Sequence, residues 1–387
     1  MELLFWLALA LVFYTYLGYG IVLFILVRIK RLFSKKQEFD LDFEPEVTLV
    51  IPAYNEQDYI AEKAHNSLAL DYPKEKLRIL FITDGSTDNT ADIIRGIEGV
   101  ELTHEDIRGG KSAAENRAMT MVTTPIVVFC DANTYLNPQC IRNLVRHYTD
   151  PKVGAVSGEK RVLSQEADTA SAAGEGLYWK YESSLKKWDS ELYTIVGAAG
   201  ELISFRSALV QDLEHDTILD DFVQTMRICK QGYRVKYEPE SFAAETASDN
   251  VKEELKRKVR IAAGGWQSMA RLWPILIPIP NPLLSFQYIS HRVLRWSISA
   301  LALPVIFVLN FFLVEQGALY QYLMYAQIAF YALALLGWFL ENRAIRVKAL
   351  FVPYYFLMMN YAVFAGFFRW LKGSQKATWE RAKRAKA

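Results

Sequence analysis

The chain has few cysteines and almost no net charge. Its 387 residues include three cysteines, Cys130, Cys140 and Cys229, at spacings that match no zinc-binding pattern. A sparse and odd number of cysteines suits a reducing compartment and argues against a disulfide scaffold. The formal net charge of +1 provides no overall field that would draw the chain to nucleic acid. We therefore expect neither a disulfide-rich secreted protein nor a nucleic-acid-binding protein.

Long apolar runs, in contrast, are present at both ends of the chain. Residues 3–27 carry no charge, and further apolar runs cover residues 294–314, 318–340 and 349–371. Each run is as long as a membrane-spanning helix, which needs roughly 20 apolar residues. The first run lacks a charged start and a small-residue cleavage site, which argues against a cleaved signal peptide. The sequence therefore predicts a multi-pass protein of the inner (plasma) membrane.

Basic residues beside these runs predict how the chain crosses the membrane. By the positive-inside rule, those after the first run place the central segment in the cytosol. These residues are Arg28, Lys30, Arg31, Lys35 and Lys36. Three simple spans at the other end would place the C-terminus outside, whereas the basic tail favours the inside. Residues 349–371 can therefore be interpreted either as a third C-terminal span or as a re-entrant or interfacial segment.

These patterns divide the chain into five predicted segments. They are an N-terminal membrane helix at 1–30, a cytosolic domain at 31–271, an interfacial segment at 272–292, a membrane region of two or three spans at 293–371 and a basic tail at 372–387. Four prolines within the interfacial segment prevent a long helix, and its Trp and Leu residues suit the headgroup boundary. A plain linker is the alternative interpretation of that segment.

The central segment alternates strand-like and helix-like patterns. Short apolar runs at residues 47–51, 77–82, 100–103 and 125–130 are typical of strands, and helix-compatible stretches separate them. Buried strands joined by helices predict an α/β domain with a mostly parallel, Rossmann-like sheet. In such sheets the ligand binds beyond the carboxyl ends of the strands. The polar residues that follow those ends are Asn55, Glu56, Asp84, Asp131 and Asn133.

Asp131 and Asn133 follow the fourth predicted strand and lie two residues apart, so both side chains can reach one ligand. Hard carboxylate and amide oxygens of this kind suit Mg²⁺ or Mn²⁺. The same pair is also common in turns that end strands, so by itself it is a weak signal.

Four short motifs occur in a fixed order along this segment. They are Pro52-Ala-Tyr-Asn-Glu56, Asp84-Gly-Ser-Thr-Asp88, Gly109-Gly-Lys111 and Asp131-Ala-Asn133. Together they resemble the nucleotide-binding half of the family 2 glycosyltransferases, and the resemblance covers roughly residues 45–270. It implies a glycosyltransferase-A-type fold, transfer of a sugar from a nucleotide-sugar donor, and a divalent metal, Mg²⁺ or Mn²⁺, at the last motif.

The resemblance also assigns roles to residues of these motifs. Asp131 would bind the metal, and Asn133, which replaces an acid of the family's pattern, would add an uncharged oxygen ligand. Asp84 is expected near the base and Lys111 near the rest of the nucleotide. The expected nucleotide-binding residues are Pro52, Ala53, Tyr54, Glu56, Asp84, Lys111, Asp131, Arg257 and Arg260.

The second half of the segment resembles the acceptor side of the family. Leu219-Asp-Asp-Phe222 is similar to the family's acidic pair, which makes Asp221 the predicted general base and Asp220 its catalytic companion. A helix N-cap is a second and compatible interpretation of these acids. The residues expected beside the donor or acceptor sugar are Gly158, Glu159, Gly200, Glu201 and Trp266.

Residues 257–261 resemble the Gln-X-X-Arg-Trp motif of processive synthases, with two departures. Arg257 replaces Gln and Ile261 replaces Trp, whereas Arg260 is kept and can pair with a diphosphate. Trp266 lies more than one helical turn further on and does not simply replace the missing ring. A basic face resting on anionic lipid is the alternative interpretation of these cations. The departures favour single transfers over processive synthesis.

The layout as a whole resembles hyaluronan, chitin and poly-N-acetylglucosamine synthases. It implies an inverting, metal-dependent transfer from a UDP-sugar, either UDP-N-acetylglucosamine or UDP-glucose, to a growing polysaccharide. One alternative is transfer of a single sugar to a lipid carrier or glycolipid. Another is a non-catalytic nucleotide-sugar-binding or channel component, which the presence of Asp131 and Asp221 argues against. Because four spans form a narrow channel, we also expect a homo-oligomer or a small membrane partner.

Overall fold

The computed structural model describes residues 1–34, 39–40, 42–163, 170–246, 251–343 and 347–375. Lys35 and Lys36 lie outside the described residues, as does the predicted basic tail after residue 375. The orientation predictions that depend on these basic residues therefore stay predictions.

One sheet forms the centre of the described residues. Its strands are β1 Val47–Ala53, β2 Leu77–Asp84, β3 Glu101–Glu105, β4 Ile126–Cys130, β5 Tyr135–Leu136, β6 Val153–Leu163, β7 Leu202–Arg206 and β8 Arg234–Thr246, in the order β3-β2-β1-β4-β7-β6-β8-β5. β1 is parallel to β2 and β4, β2 to β3, and β6 to β8. β7 is antiparallel to β4 and β6, and β5 to β8. The predicted α/β fold with a mostly parallel sheet is confirmed.

The α-helices are numbered in chain order. They are α1 Glu2–Phe13, α2 Tyr19–Phe33, α3 Ile60–Leu68, α4 Thr90–Arg95, α5 Lys111–Met119, α6 Cys140–Val145, α7 Ala170–Leu192, α8 Asp220–Lys230, α9 Val251–Arg271, α10 Pro282–Tyr288, α11 Leu294–Trp296, α12 Ile298–Leu313, α13 Ala318–Glu341 and α14 Lys348–Leu371. A π-helical turn, Tyr14–Gly18, joins α1 to α2. The first two helices therefore form one continuous helical segment.

The sheet is buried on both faces, which explains the continuous apolar runs of its central strands. On one face Leu49 and Val128 belong to a core that includes residues of α3 and α6. On the other face Val50 and Phe129 pack with residues of α5 and α8. Successive residues of one strand serve opposite faces. Because helices cover both faces, the edge at which the parallel strands end is where a ligand can reach the sheet.

Among the residues that the structure describes, four helical stretches are long and apolar enough to cross a membrane. They are Glu2–Phe33, Ile298–Gln316, Ala318–Glu341 and Ala349–Leu371. Residues 272–292, all of which the structure describes, contain no such stretch and consist of short helical pieces joined by turns. The limits of the five predicted segments, and the side of the membrane on which each lies, stay predictions.

Helix α9 connects the last apolar helix to the edge of the sheet. A Cβ added at Gly366 of α14 would lie 2.6 Å from the Cβ of Ala262 on α9, so these two helices touch at small residues. A Cβ added at Gly264 of α9 would lie 2.5 Å from Leu219, the residue before α8. α9 therefore packs closely against both α14 and the start of α8.

Candidate active site

The turns after β1 and β2 are hydrogen-bonded to each other. Asn55 adopts a φ of 54°, and its Oδ1 accepts a hydrogen bond from the Thr87 backbone N–H at 2.8 Å. The Asn55 N–H donates to the Ser86 hydroxyl at 3.2 Å. The Glu56 N–H donates to the Thr90 hydroxyl at 2.8 Å. Asn is one of the few residues besides Gly that adopt a positive φ readily. The first two motifs therefore form one structural unit.

Asp84, at the end of β2, fastens the third motif to the sheet. Its carboxylate accepts hydrogen bonds from the backbone N–H groups of Gly109 at 3.0 Å and Gly110 at 2.7 Å. The Arg117 guanidinium lies 3.6 Å from the same carboxylate. Asp84 thus positions the Gly-Gly-Lys turn, and the contact with a nucleotide base expected from the sequence stays a prediction.

Arg108 lies beside the third motif and was not singled out from the sequence. Its guanidinium carbon lies 3.7 Å from the centroid of the Tyr54 ring, a cation–π distance. Gly85 permits this approach, because its φ is +68° and an added Cβ would lie 2.8 Å from the Arg108 backbone. A basic residue directly before Gly-Gly-Lys was the only sequence signal for Arg108.

These turns enclose a cleft of about 650 Å³, part of which is open solvent. The cleft is lined by Pro52, Ala53, Tyr54, Glu56, Asp84, Arg108, Gly110, Lys111, Ala114, Asp131, Ala132 and Asn133. The structure therefore brings residues of all four motifs together at one sheet edge. The cleft suits a nucleoside diphosphate with a bound cation, because its lining includes the Tyr54 ring, two basic side chains and several acids.

Lys111 is surrounded by three carboxyl groups. Its Nζ lies 2.9 Å from Asp131 Oδ1, 3.4 Å from Asp220 Oδ2 and 3.9 Å from Glu115 Oε1. Burial by itself would lower the pKa of Lys111, but the three acids outweigh burial and hold the pKa well above its usual value. Lys111 therefore carries a positive charge where two strand-end motifs and α8 meet.

Asp220 and Asp221 are the first two residues of α8. The N-cap residue is Leu219, so the interpretation of either acid as the N-cap is wrong. Burial, followed by repulsion from Asp220, raises the pKa of Asp221 to about 7. A Cβ added at Gly200 would lie 2.9 Å from Asp221 Oδ2, so the backbone at Gly200 closely approaches this carboxyl group. Such a poised acid at a cavity wall suits proton transfer.

A second cavity, of about 380 Å³ including its open part, adjoins the first. Lys111, Asp220, Asp221 and Gly200 line it, and Lys111 lines both cavities. The predicted nucleotide-binding turns and the predicted catalytic acids therefore meet at one lysine.

Glu115 is a member of this cluster that sequence reasoning missed. Burial, and next the charge of Asp220, raise the pKa of Glu115 well above its usual value. Burial by itself would raise the pKa of Asp220, but the charge of Lys111, a backbone hydrogen bond and the charge of Arg260 outweigh burial and lower the pKa. The available signal was spacing, since Glu115 lies four residues after Lys111 and therefore on the same face of α5.

The predicted basic and aromatic residues of α9 have different surroundings. Arg260 donates to the Ile218 carbonyl at 3.2 Å; burial lowers its pKa, and the charges of Asp220 and Asp221 oppose that shift. Arg257 pairs instead with Glu254 of its own helix at 3.1 Å. The Trp266 ring packs against rings of α14, with centroids 4.8 Å from Phe367 and 6.2 Å from Trp370. Arg260 therefore interacts electrostatically with the predicted catalytic acids Asp220 and Asp221.

The remaining predicted sugar-binding residues lie within packed structure around β6. Glu159 accepts a hydrogen bond from the Ser183 hydroxyl at 2.6 Å and another from Tyr237. Glu201 pairs with Lys160 at 2.5 Å. In the described part of the chain, Gly158, Glu159 and Glu201 line neither of the two cavities, whereas Gly200 lines the second. Their contacts with a sugar stay predictions.

Asp131 and Asn133 are the residues that could hold a divalent cation. Among the described residues, no group of three His, Cys, Asp or Glu side chains is arranged to bind a metal. Mg²⁺ and Mn²⁺ sites often use one or two protein oxygens and complete their coordination with substrate phosphates and water. One carboxylate and one amide at the cleft wall fit that kind of site.

The sheet, the cleft at its strand ends and the acid–lysine cluster together define a nucleotide-sugar-binding fold of the glycosyltransferase-A type. Residues 48–213 match glycosyl transferase family 2. The family-level resemblance found in the four motifs is therefore confirmed.

Curated relatives are polysaccharide synthases. The poly-β-1,6-N-acetyl-D-glucosamine synthase of Staphylococcus aureus strain MSSA476 is 30% identical over 249 residues, which cover 62% of this chain and 59% of the relative. The synthase of the same description from Staphylococcus epidermidis is 24% identical over 297 residues, 74% of this chain and 69% of the relative. The chain thus matches about three fifths of the length of the S. aureus relative.

A solved structure matches nearly the whole chain. The mannosyltransferase PcManGT from Pyrobaculum calidifontis, in complex with GDP-Man and Mn²⁺, superposes with a TM-score of 0.72 and 25% sequence identity. The match covers 95% of this chain and 99% of that protein. The likeness therefore extends beyond the family 2 region.

Proposed function

We propose that this chain is a membrane glycosyltransferase that moves a sugar, with inversion, from a nucleotide-sugar to a growing polysaccharide. The observation that carries the proposal is that Lys111 lines both neighbouring cavities. On one side lies a cleft built from nucleotide-binding motifs, and on the other side lie Asp220 and Asp221. We further propose that the donor is a UDP-sugar, as the sequence resemblance implies. GDP-mannose, the ligand of the structural neighbour, is the competing donor.

In the proposed reaction an acceptor hydroxyl attacks the anomeric carbon from the side opposite the diphosphate. The bond from carbon to the acceptor oxygen forms, the bond to the diphosphate oxygen breaks, and the acceptor proton passes to Asp221. A base with a pKa of about 7 is suited to accept a proton at neutral pH. Lys111 and Arg260 supply positive charge where the leaving diphosphate becomes more negative.

Asp131 and Asn133 would hold the proposed Mg²⁺ or Mn²⁺ ion. Bound there, the ion would neutralise charge on the leaving diphosphate. Support comes from the oxygen ligands at the cleft wall and from the Mn²⁺ present in the structural neighbour. Arg260 and Lys111 would bind the diphosphate directly, and the turns at Pro52–Glu56 and Asp84 would bind the nucleoside.

For the acceptor, a polysaccharide is proposed because the curated relatives are polysaccharide synthases. The four apolar helices would hold the enzyme in the inner membrane, with the sheet domain in the cytosol. A second candidate is the transfer of one sugar to a lipid-linked acceptor. It is favoured by Ile261, which stands where processive synthases have Trp, and by the packing of Trp266 against α14.

The test uses the full chain purified in detergent, with Mg²⁺ or Mn²⁺ and a panel of UDP-N-acetylglucosamine, UDP-glucose and GDP-mannose. We expect nucleotide release together with a ladder of sugar products, measured by coupled assay and mass spectrometry. Products that gain a single sugar on a lipid would support the second candidate. Nucleotide binding without turnover of any donor would contradict an enzymatic role.

A further inference from the structure

The cavity beside Asp221 has an apolar interior that the proposed reaction does not use. Beyond the charged residues that it shares with the reaction site, its apolar lining consists of Met119, Phe129, Ile203, Phe205, Val210 and Leu213. These side chains come from α5, from the sheet strands β4 and β7, and from the loop before α8. Walls of this kind favour an occupant with an apolar part.

Gln224 places an amide group in the wall of this apolar cavity. The residue is 4% exposed. Within the part of the chain that the structure describes, neither Nε2 nor Oε1 of Gln224 has a hydrogen-bond partner. Buried amides are rarely left in this condition, because they lose their hydrogen bonds to water without replacement. Gln224 is therefore available to pair with a ligand that offers both a donor and an acceptor.

The position of Gln224 on α8 relates this amide to the reacting carbon. Residues three and four apart share a helix face, so Gln224 lies on the same face as Asp220 and Asp221. With a rise of roughly 1.5 Å per residue, Gln224 lies about 4.5 Å further along the helix than Asp221. A substituent next to the anomeric carbon could therefore extend toward Gln224 while Asp221 faces the acceptor.

We propose that Gln224 and its apolar cavity bind the acetamido group of a sugar, in the first place the 2-acetamido group of the donor. This group has one N–H for Gln224 Oε1, one carbonyl oxygen for Gln224 Nε2, and one methyl for the apolar walls. A hydroxyl group could pair with the amide but would leave the walls without a partner. The inference rests on the proposed function and narrows its donor to a 2-acetamido-sugar nucleotide.

The test compares UDP, UDP-N-acetylglucosamine and UDP-glucose by calorimetric titration of the full chain in detergent with Mn²⁺ and no acceptor. The wild type should bind UDP-N-acetylglucosamine at least about tenfold more tightly than UDP-glucose, because the acetamido group pairs with an otherwise unpaired amide. Gln224→Met keeps the length of the side chain and removes the amide. This variant should bind UDP-N-acetylglucosamine and UDP-glucose with nearly equal affinity, and its affinity for UDP should be unchanged.

Gln231→Met is the matched control, because Gln231 is exposed at the C-terminal end of the same helix. The ratio of the affinities of Gln231→Met for UDP-N-acetylglucosamine and UDP-glucose should equal that of the wild type. Thermal unfolding without ligand checks the fold: Gln224→Met should unfold at the same or a higher temperature, since it removes a buried unpaired amide. A preference for the acetamido sugar that persists in Gln224→Met overturns the inference.

The acceptor is the other source of an acetamido group. Turnover is therefore also measured with acetylated and deacetylated oligosaccharide acceptors. If the preference that depends on Gln224 is seen only between these acceptors and not between the donors, the bound acetamido group belongs to the acceptor. Equal use of both donors and of both acceptors overturns the inference while the proposed function stands. Failure of the wild type to bind any nucleotide-sugar overturns both.

Discussion

Two clusters of charged side chains in the described part of this protein are paired in different ways. The Lys111 cluster consists of Lys111, Glu115, Asp131, Asp220, Asp221 and Arg260. The His291 cluster consists of Glu182, Asp189, His291, Arg292 and Arg295. In the first, four acids share two cations. In the second, two acids face two arginines and a histidine.

The His291 cluster is closed and matched. Glu182 lies 2.8 Å from both Arg292 and Arg295 and 3.2 Å from His291, which lies 2.5 Å from Asp189. Burial would raise the pKa of Glu182, but Arg292, His291 and Arg295 outweigh burial and hold it well below its usual value. Tyr19 of α2 donates a hydrogen bond to Asp189. The cluster therefore ties the first apolar helix to α7 and to residues 289–295.

The Lys111 cluster is open and unmatched. The side chains of Lys111 and Asp131 are 19% and 23% exposed, whereas that of His291 is 1% exposed. Burial, followed by the charge of Asp220, raises the pKa values of Asp221 and Glu115. Removing one member of a matched buried cluster leaves its partners with an uncompensated charge, whereas an unmatched cluster of acids suits a bound cation and proton transfer.

The largest effect is expected from Asp221→Asn in the Lys111 cluster. Loss of the base should lower turnover by about 10²- to 10⁴-fold, while nucleotide affinity, measured by titration with UDP, changes little. Asp212→Asn, an exposed acid in the loop before α8, is the matched control and should keep full turnover. Near-normal turnover of Asp221→Asn would mean that another group is the base.

The next largest effect is expected from Glu182→Gln in the His291 cluster, and it should fall on stability. Removing one buried charge should lower the free energy of unfolding by about 3–5 kcal/mol, because Arg292 and Arg295 lose their carboxylate. Thermal unfolding in detergent measures the loss. Turnover per folded molecule should be unchanged.

Glu191→Gln supplies the control for this variant. Glu191 lies on the same helix and pairs with Arg31 at 2.5 Å, but both side chains are partly exposed. Its loss should change stability by less than about 1 kcal/mol. If Glu182→Gln lowered turnover and left stability intact, the contrast drawn between the two clusters would be wrong.

A smaller effect is expected from Asp131→Ala. It should weaken the Mn²⁺-dependent part of UDP binding by about ten- to a hundredfold, which corresponds to the loss of one charge-assisted contact of about 1.5–3 kcal/mol. Titrations with and without Mn²⁺ measure this part. Asn133→Ala removes an uncharged ligand and should weaken it less. Equal UDP affinity of Asp131→Ala and wild type in Mn²⁺ would exclude the metal role.

The sequence predicted those parts of the site that lie within single motifs. β1, β2 and β4 were found from apolar runs because burial on both faces requires such runs. The residues after them followed from the rule that parallel strands end at one edge. Asp84 was expected near the nucleotide base. Its hydrogen bonds to the backbone of Gly109 and Gly110 were not expected, because a sequence does not show which backbone groups will approach a carboxylate.

Features that depend on packing between distant elements were not predicted. Glu115 and Gln224 lie on different helices, and only the shared sheet face brings them to one cavity. Glu182 and His291 are far apart in the chain and meet through α7 and the segment after α10. The acids at the start of α8 were found because a family motif includes them, whereas no motif includes Glu115, Gln224, Glu182 or His291.

The smallest and most specific effect concerns pH. Asp221 accepts a proton only when it is ionised, so with a pKa of about 7 turnover should rise with pH and level off above that value. At pH 6 the wild type should retain about one tenth of its plateau turnover. Repulsion from Asp220 contributes to the raised pKa, so Asp220→Asn should lower the pKa of Asp221 and move the midpoint of the profile to lower pH. Asp212→Asn should keep the wild-type midpoint. A midpoint that stays in place in Asp220→Asn would show that the unmatched acids of the Lys111 cluster do not govern its base.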